Sequence, residues 1–176
     1  MDLDPWYSAY VYDQYTACLK VEAIAEIMTM TPYQKQALLG TYGLTSPCRA
    51  IVHAVMRGMY NTLGFWAFKR GVDVMDLEQP FLRPEAFRLE TGCIIWPTPD
   101  YVSLMVPLGD HTARIELLPR GTDYVIPALW NPTHILFLNE MGMRFTGGGS
   151  LRFIYIMLRK EPALRVVQYG MGNWTL

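Results

Sequence analysis

From residue 86 onward apolar residues recur at every second position, and this period constrains the fold more than any other feature of the chain. "AFRLETGCIIW", "YVSLMVPL", "TARIELLP", "THILFLNEM", "LRFIYIMLRK" and "LRVVQYG" read as strands separated by proline and glycine. Val102, Leu104 and Val106 alternate with Tyr101, Ser103 and Met105. Arg152, Ile154, Ile156 and Leu158 alternate with Leu151, Phe153, Tyr155 and Met157. Strands that are apolar on both sides need cover on both faces, from helices, another sheet or a partner. The connections are too short for helical crossovers, so the sheet is expected to be mainly antiparallel.

Before residue 80 the period is helical. In "LKVEAIAEIM" the apolar positions Leu19, Ala23, Ile24, Ile27 and Met28 predict a helix, with Glu22 and Glu26 on another side. "TPYQKQALLG" predicts a second, short helix with Thr31 as cap, Pro32 in its first turn and Gly40 as its stop. "SPCRAIVHAVMRGMY" predicts a third, capped by Ser46. Its residues Ile51, Val52, Val55, Met59 and Leu63 share one arc, and Arg49, His53, Arg57 and Tyr60 share another. "FWAFKRG" either continues that helix or forms an apolar turn, and "YSAYVYDQY" fits strand or helix. The expected fold is α+β, with N-terminal helices packed on a mainly antiparallel sheet from the C-terminal half. A chain of this length predicts one domain over 1–176, mostly helical in 1–80 and mostly β in 81–176.

The chain is 51% hydrophobic, which excludes a disordered polymer. Tyrosine, tryptophan and methionine are plentiful and only four lysines occur, a composition that suits either an interface or a dense core. Cys18, Cys48 and Cys93 are far apart with no CxxC pair, which argues against a disulfide framework or a zinc site and for a reducing compartment. The acidic start "MDLDPWYSAY" is the wrong charge for a signal peptide, so the expected location is intracellular, not secreted.

The motifs carry little chemistry. "FTGGGSLRF" lacks the Lys-Ser/Thr pair and following helix of a phosphate loop and reads as a flexible hairpin turn between two strands. His53, His111 and His134 show no metal-ligand spacing. Asp110 and His111 are neighbours that a strand would point to opposite faces. Cys93 lies among apolar residues, where a thiol is inert, and no serine sits in a GxSxG elbow. No catalytic, cofactor-binding or metal-binding residue is expected, and no cofactor.

Charge is segregated along the chain. The net charge of −1 is distributed as −4 over residues 1–26, +5 over 27–72, −6 over 73–140 and +4 over 141–176. The two basic blocks supply a candidate surface for an anionic partner: Lys35, Arg49, His53, Arg57, Lys69, Arg70, Arg144 and Arg152. Trp6, Tyr60, Trp66 and Trp174 are the interface candidates.

In element order, and in the basic helix "CRAIVHAVMRGMYNTLGFW", the chain resembles the small matrix proteins of negative-strand RNA viruses, in particular the plant rhabdovirus type. That resemblance implies a non-enzymatic virion protein that self-associates and contacts nucleocapsid, RNA or an anionic membrane, with no small-molecule substrate. The acidic N-terminus and the lack of a PPxY sequence depart from the pattern. The alternatives are a capsid or shell subunit, an RNA-binding regulator, and a small enzyme or ligand-binding domain with a pocket between sheet and helices.

Overall fold

The computed structural model describes residues 6–10, 14–69, 72–74 and 84–162. The chain runs β1 (Trp6–Tyr10), α1 (Gln14–Thr29), β2 (Gln34–Gln36), β3 (Leu39–Tyr42), α2 (Ser46–Phe68) and β4 (Val72–Val74). It continues through β5 (Glu85–Glu90), β6 (Ile94–Ile95), β7 (Tyr101–Pro107) and β8 (Ala113–Pro119). The last four strands are β9 (Ile126–Trp130), β10 (His134–Asn139), β11 (Met141–Phe145) and β12 (Ser150–Pro162). They form a large sheet in the order β1-β10-β7-β12-β5-β3-β2, with β4 also on β12, and a small sheet in the order β6-β11-β8-β9. Every described pairing is antiparallel. Strands β5 to β12 thus divide into two facing four-strand layers, a jelly-roll arrangement.

The doubly apolar strands explain these layers. One face of the large sheet, with Val102, Leu104, Val106, Ile135, Phe137, Ile154, Ile156 and Leu158, is covered by α1 and α2. Its other face presents Leu89, Met105, Leu136, Phe153 and Tyr155 to Ile95, Ile115, Leu117, Trp130, Met141 and Met143 of the small sheet. The expected α+β plan is therefore corrected to a predominantly β, two-sheet jelly roll with two helices on its outer side. The C-terminal half supplies two sheets instead of one, and N-terminal strands extend the larger.

Local corrections have identifiable causes. "TPYQKQALLG" forms the β2–β3 hairpin because Leu39–Tyr42 pairs with β5, Leu39 opposite Leu89 and Thr41 opposite Phe87. A helix this short has a costly nucleus, and the sheet edge outcompetes it. On α2 the cap is Thr45, one residue before the expected Ser46, and its Oγ1 accepts a hydrogen bond from the Cys48 N–H at 3.4 Å. The helix then passes Gly64 and ends at Phe68. Its arcs are as read: Ile51, Val52, Val55, Met59 and Leu63 are buried, and Arg49, His53, Arg57 and Tyr60 are exposed. Of the ambiguous N-terminal stretch, residues 7–10 belong to β1 and Gln14 and Tyr15 begin α1, and "LRVVQYG" lies outside the described residues.

Candidate ligand-binding site

At one end of the jelly roll, helix α1 overhangs two turns and encloses a groove of about 710 Å³. The turns join β7 to β8 through residues 108–112 and β11 to β12 through residues 146–149. The volume falls within the range of roughly 300–1,000 Å³ usual for small-molecule sites.

The apolar wall comes from the helical period. Val21, Ile24 and Met28 lie along one side of α1, next to the arc that buries Ala23 and Ile27. Val21 is 69% and Met28 65% exposed and face the groove, while Ile24 is half-buried and also packs on the helix-side core. Lys20 anchors the helix by donating to the Pro132 carbonyl at 2.8 Å. Burial lowers the pKa of that ammonium, partly offset by Asp110.

The glycine turn completes the opposite wall. Gly149 has φ +79°, a conformation that side chains rarely adopt, and a Cβ on Gly147 would come within 2.7 Å of the Phe145 ring. The turn carries the chain from the small sheet to the large one, so it connects layers rather than forming a hairpin.

Charge is supplied by arginine. Arg152 stands directly opposite Arg88 across β12 and β5, a like-charge pairing that is unfavourable unless neutralised. Glu90 pairs with Arg88, but the side chain of Arg152 has no hydrogen-bond or ion-pair partner among the described residues. Arg114, also in the groove, has no side-chain partner among them either. Asp110 is the acidic residue of the lining. Its Oδ1 lies 3.3 Å from His111 Nε2, because the two residues occupy a turn and not the strand in which they would have diverged. Both are fully solvated, with side chains 80% and 91% exposed, so neither orients the other in a catalytic environment.

The other expected site residues do not converge on this groove. Lys35 is exposed on β2, and Arg49, His53 and Arg57 line the outer side of α2. Lys69, at the end of α2, lies 4.4 Å from the centre of the Phe65 ring. Arg144 is bound to Glu116 across β11 and β8 at 2.8 Å. Trp6 is in β1, Tyr60 is exposed, and Trp66 is buried against Phe137. Arg70 and Trp174 lie outside the described residues. Arg114 and the α1 stripe were missed. The signals were the polar position in "TARIELLP" and an apolar arc on α1 wider than one buried face needs.

The cysteines behave as core and surface thiols. Burial raises the pKa of both Cys48 and Cys93, whereas Cys18 is exposed. A thiol reagent such as Ellman's is expected to modify one cysteine in the native protein and three after unfolding. Rapid native labelling of a second thiol would contradict the burial of α2 or of the β5–β6 turn.

Comparison with known proteins adds the class of scaffold. No protein-family model and no curated protein matches the sequence. Solved structures do match in fold. A prolyl-4-hydroxylase of Pseudomonas putida has a TM-score of 0.55 at 10% identity, over 89% of this chain and 93% of that one. The dioxygenase for auxin oxidation 1 of Arabidopsis thaliana, bound to 2-oxoglutarate, has a TM-score of 0.58 at 7% identity, over 89% and 84%. An oxidoreductase of the 2OG-Fe(II) oxygenase family from Burkholderia pseudomallei has a TM-score of 0.53 at 12% identity, over 88% and 84%. At these identities the likeness shows a shared fold.

These neighbours overturn the viral matrix resemblance and the expectations drawn from it. The solved structures that share this fold include oxygenases, among them one bound to 2-oxoglutarate and one in complex with a peptide fragment. Self-association, nucleocapsid, RNA and membrane contacts, and the lack of a small-molecule substrate lose their support. The enzyme or ligand-binding alternative fits the fold instead.

The scaffold implies an iron site, and the donors of this chain decide whether one can form. Non-heme Fe(II) oxygenases hold the metal with two histidines and one carboxylate. Here His53 is on the exposed side of α2, His111 is in the 108–112 turn, and His134 begins β10 with Nδ1 3.1 Å from Thr133 Oγ1. No three His, Cys, Asp or Glu among the described residues are placed to hold a metal ion. The described residues do not fit an Fe(II) centre.

Proposed function

We propose that this chain is a small-molecule-binding domain on the jelly-roll scaffold, with a small amphipathic anion as its ligand. The reading rests chiefly on the groove, where two arginine side chains without a partner among the described residues stand beside a partly exposed aliphatic stripe. The ligand's carboxylate, sulfonate or phosphate would take the charge-assisted hydrogen bonds that Arg152 and Arg114 offer, bidentately where geometry allows. Its apolar part would lie along Val21, Ile24 and Met28, at about 25 cal/mol per Å² covered. The fold supports a ligand-binding reading, since neighbouring structures use the same scaffold around small molecules.

The test is a fluorescence titration with 8-anilinonaphthalene-1-sulfonate, itself an amphipathic anion. Hydrogen bonds to charged groups are worth about 1.5–3 kcal/mol, so Arg152→Ala is expected to weaken binding roughly 10- to 100-fold. Arg114→Ala should weaken it in the same direction, and Arg57→Ala, on the far side of α2, should leave it within about twofold. Equal affinities for Arg152→Ala and Arg57→Ala would remove the groove from the proposal.

A further inference from the structure

We infer that the space between the two sheets is a sealed core in this chain, closed to Fe(II) and 2-oxoglutarate, so that its ligand chemistry is confined to the end of that space, in the groove whose lining includes Ala113, Phe145 and Leu151. The inference stands independently of which ligand occupies the groove under α1. Three observations carry it.

The first is the donor set. Of the histidines and acids with described side chains in the two facing layers, His134 and Glu85 occupy inner-face register positions. They lie on β10 and β5, separated by β7 and β12, hence three strand spacings apart. At about 4.8 Å per strand that is roughly 14 Å, whereas ligands of one ion sit about 2 Å from it. Ile95, Met105, Ile115, Leu117, Met141 and Met143 on the inner faces offer hydrocarbon and thioether where iron of this type requires nitrogen and oxygen, and the hydroxyls of Ser103 and Tyr155 are committed to each other.

The second is packing. Phe153 has ring neighbours on both sheets: Phe87 at 5.8 Å, Tyr155 at 6.4 Å and Trp130 at 5.7 Å. Met105, Met141 and Met143 are each fully buried. Methionine adapts its shape to irregular gaps, and three of them occupy the central strands of the two facing layers.

The third is polar satisfaction. Ser103 Oγ and the Tyr155 hydroxyl, on adjacent strands of the large sheet, share a 2.8 Å hydrogen bond on its inner face. Among the described residues no buried side-chain donor or acceptor on the inner faces is left without a partner. A chamber shaped for a dicarboxylate and an ion would keep donors in reserve, and this interior keeps none.

The decisive measurement is equilibrium dialysis of the full chain with 2-oxoglutarate, in the presence and absence of saturating Mn(II) as a redox-inert stand-in for Fe(II). The expected result is no metal-dependent retention of 2-oxoglutarate. Stoichiometric retention that requires the metal would overturn the inference. Binding that ignores the metal is instead assigned to the Arg152 groove, and loss of that signal in Arg152→Ala confirms the assignment. A second measurement is the melting temperature of Met143→Ala. A core methionine is expected to cost roughly 5–15 °C in a chain of this size, or to abolish folding. An unchanged melting temperature would show that Met143 borders open space and would overturn the sealed-core inference.

Discussion

Ile51→Asp is expected to unfold the protein. Ile51 is 0% exposed at the centre of the α2 arc, against the helix-side face of the large sheet. The substitution removes a buried aliphatic side chain, at about 2–5 kcal/mol, and puts a carboxylate where no partner is available, at several kcal/mol more. Together these approach or exceed the whole stability of an ordinary domain, about 5–15 kcal/mol. Circular dichroism and size exclusion should show lost structure or aggregation. Arg57→Asp, six residues on and exposed, should keep the native spectrum and a denaturation midpoint close to that of the unsubstituted protein. A folded Ile51→Asp variant of normal stability would mean that α2 packs through another face.

Phe153→Ala is expected to cost about 3–5 kcal/mol by urea denaturation, the range for a large aromatic removed from a core. The ring belongs to β12 of the large sheet and meets Trp130 on β9, the edge strand of the small one. Its loss therefore weakens the contact between layers as well as one strand's packing. Phe68→Ala at the exposed end of α2 serves as the reference, with an expected change below about 0.5 kcal/mol. A Phe153→Ala loss under about 1 kcal/mol would show that the sheets are not held by this cluster.

Much of the layering was legible in the sequence, because burial on both faces leaves an unbroken apolar run such as "LRFIYIMLRK". Which partner covers each face was not legible. Ile154 and Phe153 look alike as letters, yet one faces the helices and the other the small sheet. Strand β9 was not among the expected strands: Pro127 interrupts its pattern, although a sheet edge tolerates proline. Strand β11 was hidden by Gly142 and by its brevity. In the groove, Arg152 stood out for its charge, but its register partner Arg88 is 64 positions away and only the folded chain places them face to face. The basic arc of α2 was read correctly as exposed and wrongly as part of a matrix-like assembly surface. Solvation is a sufficient account of Arg49, His53 and Arg57.

The path of the chain between layers also governs how the fold can form. From β5 onward it visits the large sheet, the small, the large, the small twice, then the large, the small and the large again. Neither sheet can finish while the other is absent, since each draws its strands from the same interleaved stretch. Strand β5 waits for β12, some 60 residues later, and β6 waits for β11. Closing loops of that span costs entropy before any contact repays it, which places the rate-limiting step late and makes it collective. Fragments that end before β11 would leave both layers with open edges and exposed apolar faces, the condition that favours aggregation during synthesis.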